Sequence, residues 1–90
     1  MTEAEFLEEM AEAGRPVSTW SNGPGDCYAS HRHPYRKYLC CLEGSMVLHT
    51  ADGDVTLAAG DRMVLDAGTE HSVTVGPQGV RCAEAHDMAG

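Results

Sequence analysis

Two stretches decide how this chain folds: Gly25-Asp26-Cys27-Tyr28-Ala29-Ser30-His31-Arg32-His33 and Gly60-Asp61-Arg62-Met63-Val64-Leu65-Asp66-Ala67-Gly68-Thr69-Glu70-His71. In the first, His31 and His33 stand two positions apart, so a strand through them aims both imidazoles at one face. Neutral imidazole is the commonest nitrogen ligand of first-row metals, and a pair facing one way is half of a metal site. In the second, His71 follows the turn Gly68-Thr69-Glu70 into another strand, from which it can close a triad across a sheet.

Outward from these stretches, short apolar runs alternate with turn signals. They are Asn22-Gly23-Pro24-Gly25, His33-Pro34, Glu43-Gly44, Asp52-Gly53, Ala59-Gly60-Asp61, Ala67-Gly68 and Gly76-Pro77-Gln78-Gly79. Close, even spacing of this kind marks an all-β sandwich or barrel. Strands are expected at 16–20, 26–32, 36–43, 45–50, 54–58, 62–65, 71–75 and 80–86. Thr50-Ala51-Asp52-Gly53-Asp54 is the clearest hairpin, because Asp-Gly suits a turn that needs positive φ. Ahead of the strands, Thr2-Glu3-Ala4-Glu5 has the form of a capping box, and Phe6, Leu7, Met10 and Ala11 follow at helical spacing. Gly14 and Pro16 end that pattern, which predicts a short amphipathic helix over 3–13 packed on the sheet.

Ninety residues make one domain, 1–90, with its barrel over 16–86. A domain of this size buries only roughly 60–65% of its unfolded surface, so the core is small. Fourteen acidic against six basic residues leave a net charge of −8. Nucleic acid and anionic membranes both call for a cationic footprint, so neither is expected as a partner. No apolar run has the length of a membrane span, and a cytoplasmic location is expected. Cys27, Cys40, Cys41 and Cys82 read as free thiols. Of the adjacent pair, which alternates faces on a strand, one is expected buried and the other half exposed. Exposed edges on so small a barrel favour a homodimer.

The two stretches resemble the paired motifs of the cupin family of small β-barrels. The first family motif runs glycine, five residues, His-x-His, three or four residues, glutamate, six residues, glycine; Gly25, His31, His33 and Gly44 match it in frame. The second runs glycine, five residues, proline, any residue, glycine, two residues, histidine; Gly60, Gly68 and His71 match it, with Asp66 in place of the proline. The resemblance implies a jelly-roll barrel, also termed a double-stranded β-helix, with the short helix at its amino terminus. It implies further that His31, His33 and His71 hold one divalent transition metal (Fe, Mn, Ni, Cu or Zn) inside. A three-histidine site of that kind is similar to those of thiol dioxygenases in the same superfamily.

One departure bears on chemistry. Counting from His33 to Gly44 places Lys37 where the family carries its glutamate ligand. Like charges about 4 Å apart repel by about 4 kcal/mol at an effective dielectric of 20, and a divalent ion doubles that. Lys37 therefore turns away, pairs with an acid such as Glu43 or Glu84, loses its proton, or excludes the metal. As a neutral base or as an anion partner it is a candidate catalytic residue. Tyr35 is the second candidate: by parity it shares a face with His31, His33 and Lys37, from which its hydroxyl could donate a hydrogen bond to a ligand. Residues 80, 82, 84 and 86 also share a face: if Val80 and Cys82 point inward, Glu84 follows and could supply the missing carboxylate or neutralise Lys37, although a place at the barrel mouth is the first expectation. His49 and His86 are expected on the surface, with Arg62 and Arg81 in surface ion pairs. Two functions follow: a metal-dependent enzyme, such as a dioxygenase, acting on a small organic substrate, or a non-enzymatic binding or sensor module whose Lys37 pairs with an anionic ligand.

Overall fold

The structure, a computed structural model, describes residues 1–87. Helix α1 spans Glu3–Glu12. Its capping box is formed as the sequence implied: the Thr2 hydroxyl accepts from the Glu5 N–H at 3.2 Å, and the Glu5 carboxylate accepts from the Thr2 N–H at 3.1 Å. Phe6 and Met10, on one face, are buried.

Six strands follow: β1 (Ser18–Asn22), β2 (Cys27–His31), β3 (Lys37–Thr50), β4 (Gly53–Ala58), β5 (Arg62–Leu65) and β6 (His71–His86). Every pairing is antiparallel. The sequence led us to expect eight strands, and the difference has one cause. Glu43-Gly44 and Gly76-Pro77-Gln78-Gly79 do not end strands; they bend β3 and β6, which pair with each other along their whole length, from Lys37 opposite His86 to Thr50 opposite His71. The first half of β3 pairs with β5 and its second half with β4, while β6 pairs with β2 and then β1. Two four-stranded layers are thus made from two shared strands.

The register of β3 against β6 shifts between Cys41 and Glu43 and again between Gly44 and Met46. Leu39 and Cys41 before the shift, and Met46 and Leu48 after it, all pack in the same interior cluster. Side-chain direction alternates along a strand, so without an extra residue one half of β3 would turn its apolar set to solvent. Val73 and Val75 against Val80 and Cys82 show the same change of parity in β6. At the bend Gly44 has φ +72°, and a Cβ there would lie 2.0 Å from the Gly79 carbonyl oxygen. Only glycine permits that approach.

A second apolar cluster lies outside the barrel, where Phe6 and Met10 of α1 cover Tyr38, Cys40, Ala83 and Ala85. This corrects the expectation for the paired cysteines. Cys41 faces the barrel interior and Cys40 faces the helix, so both are fully buried. Cys27 alone of the four thiols is exposed. Among the described residues no helix is long and apolar enough to cross a membrane.

Candidate metal centre

His31 ends β2 and His71 begins β6, and the two are direct cross-strand partners. His33 lies two residues beyond β2, where its carbonyl accepts the Gly68 N–H at 2.8 Å. The turn of one motif is thereby fastened to the histidine loop of the other. The ring centroids are 4.3 Å apart for His31 and His71, 4.9 Å for His31 and His33, and 5.6 Å for His33 and His71. One ligand nitrogen from each ring lies within 4.8 Å of the others.

Two of these rings are oriented by the backbone. Nδ1 of His31 lies 2.8 Å from the Ala29 carbonyl oxygen, and Nδ1 of His71 lies 3.0 Å from that of Thr69. A carbonyl only accepts, so in both rings Nδ1 carries the proton and Nε2 keeps its lone pair for an ion. Nε2 of His33 is shielded from solvent and has no partner among the described residues. A buried nitrogen with no protein donor, beside two imidazoles locked in the ligating tautomer, fits a divalent ion. Burial, reinforced by Lys37 and the neighbouring imidazoles, holds His33 below the ordinary histidine pKa. Burial also lowers His71, which is 4% exposed, against the opposing pull of the Thr69 carbonyl. Both rings are thus biased toward the neutral form that binds metal.

Lys37 points into the same space, and its ammonium lies 2.7 Å from a Glu84 carboxylate oxygen. Of the outcomes open to it, Lys37 takes the pairing with an acid. Glu84 lines the cavity with the histidines and neutralises Lys37, because β6 keeps Val80, Cys82 and Glu84 on its inward face. Tyr35 does face the histidines, through its ring: it stacks on His33 with centroids 5.2 Å apart and planes 21° from parallel. His86 is on the surface as expected, yet its ring packs against Tyr35 with centroids 4.4 Å apart. His49 takes no part and bonds Asp54 and Thr74 on the outer face. Arg62 pairs with Glu9 and Arg81 with Glu3, as the sequence implied.

The histidines, Lys37 and Glu84 line a cavity of about 360 Å³. The rest of its wall is chiefly apolar, from Leu39, Met46, Leu48, Leu65 and Val73, with Trp20 from β1. Sequence reasoning missed Trp20 and Ser18 as cavity residues. Their signal was the period of two on β1, which puts both on one face.

The sequence pattern of the cupin domain family matches residues 19–82, a span that holds all three histidines and Lys37. The chain belongs to the cupin domain family. This cupin superposes on a protein of unknown function from Rhizobium leguminosarum with a TM-score of 0.77 at 16% identity, covering 86% of this chain and 73% of that one. It is similar to a cupin domain from Bordetella pertussis (TM-score 0.65, 27% identity, 81% of this chain and 80% of that one). A double-stranded β-helix protein from Klebsiella pneumoniae gives a TM-score of 0.68 at 27% identity, over 78% of this chain and 64% of that one. Comparison with curated proteins finds no match.

Proposed function

We propose that this cupin holds one divalent transition metal through His31, His33 and His71 and uses it on a small organic molecule within the barrel, as a dioxygenase or a related enzyme. The observation that carries the reading is the convergence of three ligand nitrogens within 4.8 Å, two of them in rings whose other nitrogen is held by a backbone carbonyl. All-nitrogen donor sets suit Fe, Co, Ni, Cu and Zn, and three protein ligands leave coordination positions open. A bound ion would supply Lewis acidity or, if redox-active, electron transfer at those positions. The chain's own part is to shape the cavity. Its aliphatic wall excludes water from an apolar ligand body, and the Lys37–Glu84 pair adds no net charge.

A binding module without catalysis is the second reading, favoured by the apolar lining of the cavity. Lys37 would then hold an anionic ligand only by releasing Glu84.

Metal analysis of untagged protein tests the first reading. One ion per chain, lost in His31→Ala and in His71→Ala, is expected; a folded protein that takes up none of Fe, Mn, Ni, Cu or Zn overturns it. Oxygen uptake by the iron-loaded form with small thiols and diketones separates the two readings. Silence across such a panel, with thermal stabilisation by one of its members, favours the binding module.

A further inference from the structure

His33 is unlike the other two histidines. His31 and His71 each lie within hydrogen-bond distance of the carbonyl two residues earlier, which fixes the ring about its χ angles. Neither ring nitrogen of His33 has a hydrogen-bond partner among the described residues, and Nε2 is buried without one. Its backbone is held by Gly68, but its ring is held only by contact. The ring meets His31 edge-on at 4.9 Å, but the ring stacked flat against it is Tyr35, at 5.2 Å, and Tyr35 in turn packs against His86 at 4.4 Å.

We propose that Tyr35, backed by His86, is a positioning residue that orients the His33 ring for metal binding, in place of the backbone hydrogen bond the other two ligands have. Two elements meet in this clamp: the loop between β2 and β3, which carries both His33 and Tyr35, and the last residue of β6. A free imidazole on a loop rotates about two torsions, and the entropy of fixing it opposes metal binding. A planar ring stacked on one face removes most of that freedom before the ion arrives. Pro34 separates Tyr35 from His33 and restricts the backbone between them, so the two rings are held in register. The role belongs to the ring and not to the hydroxyl, which distinguishes it from a proton donor.

This inference rests on the metal reading for its consequence but not for its geometry, and the test separates the two. Zinc and cobalt affinities are measured by competition with a chromophoric chelator, together with the visible spectrum of the cobalt-loaded form. Removing an outer-shell partner of a metal ligand typically costs ten- to a hundredfold in affinity, and Tyr35→Ala is expected to lose about that much. Tyr35→Phe keeps the ring and should bind within about threefold of the parent. His86→Ala should fall between them. The cobalt spectrum should shift in Tyr35→Ala and be restored in Tyr35→Phe, which a general loss of stability would not reproduce. Equal affinity in Tyr35→Ala and the parent overturns the proposal, as does a loss in Tyr35→Phe as large as that in Tyr35→Ala. In the metal-free protein, NMR should show through-space contacts from Tyr35 to both His33 and His86. Their absence overturns the clamp whether or not metal binds, whereas their presence in a protein that takes up no metal overturns only the function proposed above.

Discussion

Lys37 and Glu84 form an ion pair of 2.7 Å inside the barrel, with 15% and 22% of their side chains exposed. The two residues sit on neighbouring strands, two positions apart in register: Leu39 is opposite Glu84, and Lys37 is opposite His86. The pairing lets an ammonium occupy a site built from three imidazoles without leaving its charge uncompensated. Pairs at this depth lie between surface bridges, worth about 0–1 kcal/mol, and buried ones, whose disruption costs about 3–5 kcal/mol.

Breaking the pair from either side is expected to destabilise the fold by about 1–3 kcal/mol, because one charge is left without its partner. Lys37→Met with Glu84→Leu should recover most of the loss. Denaturant unfolding of the two single variants and the double variant measures the coupling. Lys37→Glu is a separate case. It puts a second carboxylate beside Glu84, so the metal-free protein should unfold more easily while zinc affinity rises at least tenfold. Unchanged zinc affinity would mean that position 37 does not face the ion.

The metal-free protein should lose stability as pH falls below about 6.5. His33 and His71 are held below the ordinary histidine value in the fold, chiefly by burial. Between the unfolded and folded values the unfolded chain binds more protons, so acid favours unfolding. The stabilisation is complete above the unfolded value and is lost as pH falls toward the folded ones. Melting temperatures from about pH 7.5 to 5.5 should therefore decline, and His71→Gln should flatten the slope. A slope unchanged in that variant would remove His71 as the cause.

Gly44→Ala should be among the most damaging single substitutions outside the histidine cluster. The new Cβ would stand 2.0 Å from the Gly79 carbonyl oxygen, which is backbone, and at a φ of +72°. Positive φ alone costs about 1 kcal/mol, and the clash adds more, so a loss above about 3 kcal/mol is expected. Circular dichroism and thermal melting would show it. Gly68→Ala, at φ +78° with open space around its Cβ, should cost only about 1 kcal/mol and serves as the control.

Thiol titration should find one fast-reacting cysteine in the folded protein and four after unfolding. Cys27 is exposed, whereas Cys40, Cys41 and Cys82 are buried. Burial pushes the Cys82 thiol up to about 12 and raises the other two buried thiols as well, so little reactive thiolate forms at neutral pH. Cys27→Ser should abolish the fast phase.

Much of this molecule was legible in the chain. The capping box at Thr2, the Asp52-Gly53 hairpin and the glycine-framed histidines are local patterns, and local patterns carry their own geometry. Even the inward direction of Val80, Cys82 and Glu84 follows from a period of two once one of them is placed. Strand number was not legible, since a glycine at a bend and a glycine at a turn are the same residue in sequence. Whether Gly44 ends a strand depends on Gly79, far along the chain, lying against it.

The sequence by itself pointed to the fold class and the helix and picked out the three histidines, because each rests on neighbouring residues or on spacing within one glycine-framed motif. Tertiary structure alone decided the partner of Lys37, the burial of Cys40 beneath α1 and the packing of Tyr35 against His86. These contacts join residues from different elements, and charge, shielding and ring contact depend on distance in space. No periodicity within one segment can report a distance to another.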